Sequence, residues 1–336
     1  MAGGLPGGGG HGPLTTMKGF AVDNALQFTV LTADGTTLTA NAEENSELFW
    51  ALRGGGPGAY AVILTATYKT HADESSAGMI LEINSSHTND SEVFWEAVRR
   101  FHSYSNHFVE NGLYVYFEIG TTGQALRIHP IVGIGKSAEA LTAVVKPLLD
   151  EWDAMGLGYS SETKGFATLY DLYIEMFEDE AAGGSALTGG WMFTHADVDA
   201  SNDAITNALR NTFEAGALIV GHMWDAGHGV PSARWGDTST HPRFRNASDF
   251  IITALPLAGN APLAEKAAAQ DKLTNNIDEG LRKAGPNGAT YVNEVSDRYW
   301  AKFMGKTVAN DRTGRSIPAE LAGSLLGRQL QQVSTA

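Results

Sequence analysis

Trp50-Ala51-Leu52-Arg53-Gly54-Gly55-Gly56-Pro57-Gly58-Ala59-Tyr60-Ala61-Val62-Ile63-Leu64 decides how the chain is read. A short helical stretch runs into four glycines within five residues, then into an apolar run rich in β-branched residues. Without a Cβ, glycine lets backbone approach a ligand closely and take positive φ. Successive backbone N–H groups in such a turn can cradle an anion. Alone, the stretch equally suits a tight connection between a helix and a buried strand. A second glycine run, Gly7-Gly8-Gly9-Gly10-His11-Gly12, stands upstream, so two close-approach loops flank the segment between them. Together they favour a dinucleotide or another phosphate-bearing ligand. The formal Gly-x-Gly-x-x-Gly match over 7–12 is weak, because such a loop ordinarily leaves a strand and none is expected ahead of it.

The chain has 336 residues, 43% hydrophobic and 18% charged, enough for one large or two ordinary domains. A formal net charge of −15 and the lack of any Lys/Arg cluster argue against nucleic acid as a partner. There is no cysteine, which excludes disulfides, thiolate metal sites and cysteine nucleophiles. No apolar run reaches the roughly 18 residues of a membrane helix, so no membrane partner is expected. Met1 to Pro6 lack the basic and apolar regions of a signal peptide. The sequons at Asn84, Asn89 and Asn246 lean towards a secretory origin.

Residues 26–32 alternate apolar and polar, Ala33-Asp34-Gly35 is a turn signal, and 37–40 return as a second strand. Asn45 is placed to cap a short helix through Leu52, and residues 61–68 form the next strand. Beyond a polar run near residues 70–77 the units become larger. Strands are expected at 79–83, 113–119, 125–134, 187–193, 218–224 and 250–255. Helices are expected from Ser91, with Phe94, Trp95, Val98 and Phe101 at helical spacing, from Ser137, at 200–213 and at 263–284. Pro147 falls inside the second of these helices and is a candidate kink. Paired strands followed by amphipathic helices indicate an α+β fold, a large antiparallel sheet with helices on one face. Residues 305–336, rich in Gly, Ser, Arg and Gln, read as a weakly packed tail.

Three segments together resemble the FAD-linked oxidoreductases of the vanillyl-alcohol-oxidase type, most closely the fungal berberine-bridge-enzyme-like group. They are Gly8-Gly9-Gly10-His11-Gly12-Pro13-Leu14 with the hairpin that follows, Glu47-Leu48-Phe49-Trp50-Ala51-Leu52-Arg53-Gly54-Gly55-Gly56 running into Ala59 to Ile63, and Tyr291-Val292-Asn293-Glu294. Their order and spacing fit over roughly residues 3 to 304. The resemblance implies part of a PCMH-type FAD-binding domain over 1–71, a substrate domain over 72–290 with an antiparallel sheet roofing the flavin, a truncated Tyr-x-Asn segment over 291–304, and an atypical tail. It further implies that Gly8, Gly9, Gly10, His11, Gly12 and Leu14 contact FAD near the pyrophosphate and flavin. Gly55, Gly56, Gly58, Val62 and Ile63 would do so near the adenosine. Tyr291 would face the substrate side of the flavin, with Asn293 orienting its strand. The implied reaction is oxidation of a small organic molecule with O2 as acceptor, by a monomer that is secreted in the intact family member. Relative to the family, Pro57 and Ala61 replace usual glycines, and no cysteinyl link to flavin is possible. A histidyl link is not expected either, since His11 does not occupy the position of the histidine that forms it. The chain reads as a fragment of such a protein and is expected to bind FAD weakly or not at all.

The remaining constellations are weaker. His222, His228 and His241, with Asp225 and Asp237 nearby, lack the i, i+4 spacing of a zinc helix, and a loop is the better reading. No serine-hydrolase elbow or Gly-Lys-Ser/Thr is present. Tyr291 has an ordinary pKa near 10 and needs a positive neighbour to act as a base; Arg234, Arg243 and Arg245 are candidates for that neighbour, and Glu294 and Asp297 are alternative bases. Two hypotheses of different class stand: a flavin oxidase, or a catalytically silent globular fragment retaining only the substrate-domain fold.

Overall fold

The computed structural model describes residues 4–120, 123–178 and 185–294. The expected tail, Asp297 and the end of the Tyr-x-Asn segment lie outside the described residues.

The chain opens with a short helix α1 (Gly4–Gly8), the glycine loop, and a second short helix α2 (Thr15–Lys18). A small antiparallel sheet follows, made of β1 (Ala25–Leu31), β2 (Thr37–Asn41) and, after helix α3 (Ser46–Leu52), β3 (Val62–Tyr68), in the order β2-β1-β3. Its core is Phe28, Val30, Ala40, Phe49 and Leu52. Phe28 is paired with Ala40 on one side and Ala66 on the other, so small neighbours make room for its ring. Asn45 precedes α3 but does not cap it by its side chain: it sits in the left-handed region at φ 49° and its Nδ2 donates to the Thr39 carbonyl.

The larger unit is built from β4 (Ser76–Ile83), α4 (Ser91–Ser103), α5 (Ser105–Glu110), β5 (Leu113–Ile119), β6 (Leu126–Ile134), α6 (Ala138–Ala154), β7 (Ser160–Phe166), α7 (Leu169–Met176), β8 (Ala186–Thr194), α8 (His195–Glu214), β9 (Leu218–Met223), β10 (Ala247–Pro256), α9 (Leu263–Lys272) and α10 (Asp278–Ala284). The strands form one seven-stranded antiparallel sheet in the order β7-β4-β6-β5-β9-β10-β8. The α+β expectation therefore holds.

One face of this sheet is covered by α4, α5, α6 and α8 over the main core, where Phe94, Trp95, Phe101, Phe117, Leu148 and Trp152 are buried. Period 2 on the strands and 3.6 on the helices supply that core with apolar residues at every layer. Asp90 and Ser137 cap α4 and α6 through their side-chain oxygens. Pro147 lies inside α6, which continues through it to Ala154. A buried polar link ties the helices to the sheet: His102 meets Asn202 Oδ1 and Asp249 Oδ2, each at 2.7 Å.

Three features depart from the sequence reading. β7, whose residues are largely exposed and polar, forms a sheet edge. α7 packs on the face opposite α4, α5, α6 and α8, placing Leu172 and Met176 beside Tyr114 and Val132. The single helix expected over 263–284 is two helices joined by a π-helical turn, Leu273–Ile277.

Candidate active site

The site lies on the sheet face turned away from the main core. Along β5, Leu113, Val115, Phe117 and Ile119 enter that core, so Tyr114 and Tyr116 fall on the other side. His222 of β9 shares their face: its Nδ1 lies 2.8 Å from the Tyr114 hydroxyl and its ring 5.1 Å from that of Tyr116. Met192, Trp224 and Phe250 extend the same apolar layer.

The N-terminal segment folds onto this face. The ring of His11 stands 4.9 Å from Tyr291, 5.1 Å from His222, 5.4 Å from Phe250 and 5.8 Å from Trp224. A bidentate ion pair holds the segment in place, with Arg245 Nη1 and Nη2 donating to the two Asp23 carboxylate oxygens at 2.6 and 2.7 Å. Both partners are buried and the guanidinium also lies over the Phe20 ring. Paired forks of this kind fix orientation as well as charge.

Tyr291 is 3% exposed. It precedes a 3₁₀ turn, Val292–Glu294, and does not lie in a strand as expected. Asn293 Nδ2 donates to the Tyr291 hydroxyl at 2.8 Å and to the Gly4 carbonyl at 3.0 Å, so Asn293 positions the phenol and the chain start. Burial, reinforced by the nearby Glu294 carboxylate, pushes the Tyr291 hydroxyl up to about 12, although Asn293 and the Gly10 N–H favour the anion. Tyr291 is thus a neutral phenol at ordinary pH. None of the three arginines activates it: Arg245 is held by Asp23, Arg243 donates to the Gly288 carbonyl and Arg234 pairs with Asp237.

His222 keeps an accessible edge, yet loss of hydration, with His11 alongside, holds its imidazole well below the usual histidine range. It is uncharged at neutral pH and can accept a proton. His11 Nε2 lies 3.2 Å from Glu294 Oε2. His11 Nδ1 and Trp224 Nε1 are buried with no hydrogen-bond partner among the described residues. Buried polar atoms are rarely left unpaired, which makes these two a place for a polar ligand.

The structure brings the first glycine loop, Tyr291 and Asn293 together. The second loop meets the first through the Gly56 N–H and the Gly7 carbonyl at 2.9 Å. Val62 and Ile63 lie apart from this centre on the small sheet, where Val62 is exposed and Ile63 packs on that sheet's core. Sequence reasoning missed Tyr114, Tyr116, Trp224 and Phe250, and considered His222 only as a metal ligand. The alternation Leu-Tyr-Val-Tyr-Phe-Glu-Ile over 113–119 was the available signal for a polar sheet face. Among the described residues no three His, Asp or Glu side chains converge to hold a metal ion.

No family model matches the chain. It is 31% identical over 302 residues to the FAD-linked oxidoreductase ZEB1 of Gibberella zeae, covering 89% of this chain and 52% of that protein. The crystal structure of the VAO-type flavoprotein MtVAO615 from Myceliophthora thermophila superposes with a TM-score of 0.81 at 28% identity, over 91% of this chain and 56% of that one. Its homologues are FAD-linked oxidoreductases and VAO-type flavoproteins. A BBE-like protein of Physcomitrella patens shares the fold, with a TM-score of 0.69 at 18% identity over 91% of this chain and 65% of that one. The chain spans about half the length of the curated relatives it matches.

Its residues fit the polar edge of a flavin. His11 Nδ1, bare in the neutral tautomer that donates from Nε2 to Glu294, offers an acceptor, and Trp224 Nε1 offers a donor. At Gly12 and Gly58 nothing stands within 4 Å of where a Cβ would be, so their backbone is approachable. Gly7 and Gly8 are instead packed against the chain itself: a Cβ on Gly7 would lie 2.4 Å from Pro57, and one on Gly8 2.6 Å from the Tyr291 ring.

Proposed function

We propose that this chain carries the substrate-facing part of an FAD-dependent oxidase acting on a small organic alcohol, sugar or secondary metabolite, with O2 as electron acceptor. The convergence of His11, His222, Tyr291 and Glu294 on the sheet face opposite the helical core carries this reading. Bound FAD supplies the two-electron acceptor. His222 takes the proton of a substrate hydroxyl at the ring nitrogen not engaged by Tyr114. Tyr291, protonated, donates a hydrogen bond to the substrate oxygen, and Glu294 fixes the His11 tautomer. The open backbone of Gly12 and Gly58 would line the cofactor side, and residues 1–71 form the FAD-binding portion.

The close packing of Gly7 and Gly8 on the chain favours a second reading, a catalytically silent fold. Titrating FAD into the purified chain while following flavin fluorescence, then assaying H2O2 release with a panel of alcohols and sugars, separates the two. Saturable binding at micromolar FAD with peroxide release supports the oxidase. No quenching at 100-fold higher FAD and no peroxide leaves the silent fold.

A further inference from the structure

One strap of the larger unit, residues 236–240 between β9 and β10, lies along the end of α3 and the second glycine loop. The Ser239 N–H donates to the Arg53 carbonyl at 3.0 Å, and the Ser239 hydroxyl lies 3.1 Å from the carbonyls of both Ala51 and Arg53. The Gly236 carbonyl accepts from Trp50 Nε1 at 3.0 Å, and the Asp237 carbonyl accepts from Arg53 Nη2. A helix end leaves its last carbonyls without intrahelical partners, and here the strap supplies donors to them. The Arg53 guanidinium, held by the Asp237 carbonyl, lies over the Phe49 ring at 4.1 Å from its centre.

Thr240, 4% exposed, carries the strap on to the first loop. A Cβ on Gly54 would lie 2.5 Å from its Oγ1, and one on Gly9 would lie 3.6 Å from its Cγ2, so a single side chain rests against both loops. Behind it, Arg245 Nη2 donates to Thr238 Oγ1 at 3.2 Å while the same guanidinium holds Asp23. Both glycine loops are thereby tied to one short segment.

That tie bears on the cofactor. Gly12 and Gly58, whose backbones are open, belong to different loops, and one ligand meets both only while the loops keep their spacing. The loops touch through the Gly56 N–H and the Gly7 carbonyl at 2.9 Å, and the strap adds a second tie at Gly54 and Gly9. A site shaped before its ligand arrives binds more tightly, because less ordering remains to be done. We propose that Ser239 and Thr240 are positioning residues, which set the spacing of the two glycine loops and through it the affinity for FAD. The cofactor half of this rests on the oxidase reading; the loop spacing is a property of the chain alone.

The test uses the full chain. Ser239→Ala removes the hydroxyl, Ser239→Thr restores one, and Thr240→Ala removes the groups that lie against Gly9 and Gly54; melting curves confirm that the variants fold. Amide hydrogen exchange without flavin is read on residues 7–12, on residues 51–58 and on the distant helix α6, and FAD affinity is read from flavin fluorescence. Ser239→Ala should speed exchange at 51–58 and weaken FAD binding, each by about tenfold for the loss of one hydrogen bond, with α6 unchanged. Ser239→Thr should restore both, and Thr240→Ala should speed exchange at 7–12 as well as at 51–58. Wild-type exchange at 51–58 in Ser239→Ala, acceleration spread equally to α6, or FAD bound equally by wild type and Ser239→Ala overturns the proposal. If the wild type takes up no FAD, the oxidase reading fails, and exchange alone decides whether the strap sets the loops.

Discussion

Asp278, the first residue of α10, gives a test in which pH sets the sign. Its side chain is 2% exposed beneath β8 and β10, with Thr253 Oγ1 at 3.5 Å from Oδ1 and no partner for Oδ2 among the described residues. Burial pushes its carboxyl up to about 7, against the opposing attraction of Arg282 one turn away. An unfolded aspartate titrates near 3.9. Below that value both states hold the proton and the group is neutral in its effect. Between about pH 4 and 7 the unfolded chain has released its proton while the folded chain keeps it, so each unit of rising pH costs folding about 1.4 kcal/mol. Above 7 the folded state carries a buried carboxylate and the loss levels off at about 4 kcal/mol. Other carboxylates move the opposite way. Glu96, held down to about 2 chiefly by its hydrogen bond to Arg99, stabilises the fold above the ordinary carboxylate range and ceases to do so as pH falls towards 2. The wild-type curve alone therefore mixes several groups, and the difference from a variant isolates Asp278.

Asp278→Asn keeps the shape and removes the titration. Its stability relative to wild type should grow by about 3 kcal/mol between pH 5 and 8, read from urea unfolding at each pH. A difference that stays flat across that window, or that shrinks with rising pH, refutes the argument.

Arg245→Ala leaves the Asp23 carboxylate buried and unpaired and should cost about 3–5 kcal/mol by thermal or urea unfolding; a loss under 1 kcal/mol would mean the pair does not hold the N-terminal segment. Gly54→Ala places a side chain at φ +105° with its Cβ 2.5 Å from Thr240 Oγ1 and 2.8 Å from Thr240 Cα, whereas Gly58→Ala, at φ +68°, meets open space. The first should cost at least about 2 kcal/mol and the second about 1 kcal/mol in urea midpoints, and equal costs would contradict the close packing of the second glycine loop on Thr240. In an ultraviolet titration, wild type minus Tyr291→Phe should show no tyrosinate absorbance until the pH approaches 12. A component appearing near pH 9 would place Tyr291 in a far more cationic or open setting.

The helix-covered half of the sheet was legible because each element carried its own period. Phe94, Trp95, Val98 and Phe101 announce α4 by spacing alone, and all four are buried where that spacing puts them. β7 left no such mark: Ser-Ser-Glu-Thr-Lys-Gly-Phe is polar, since an edge strand with exposed faces needs no apolar alternation. The helix over 263–284 kept its apolar positions, Leu273, Ile277 and Leu281, through the π-helical turn, so its composition concealed the break. The candidate site was half legible. His11 and Tyr291 came from segments with a resemblance behind them, but Tyr114, His222, Trp224 and Phe250 join them only through strand order and register. Neither is written in any local stretch.

The two deepest ionisable groups of the site are displaced in opposite directions with one outcome. Burial lowers the His222 imidazole and raises the Tyr291 phenol, so each is neutral near pH 7. Arg245, the buried cation beside the N-terminal segment's turn, is already matched by Asp23. A centre so arranged has no fixed charge with which to select a charged substrate at these two groups, and recognition there must come from shape and from single hydrogen bonds to Tyr291 and His222. An uncharged molecule bearing one hydroxyl suits such a centre, with the hydroxyl between an imidazole that can accept its proton and a phenol that can donate to its oxygen.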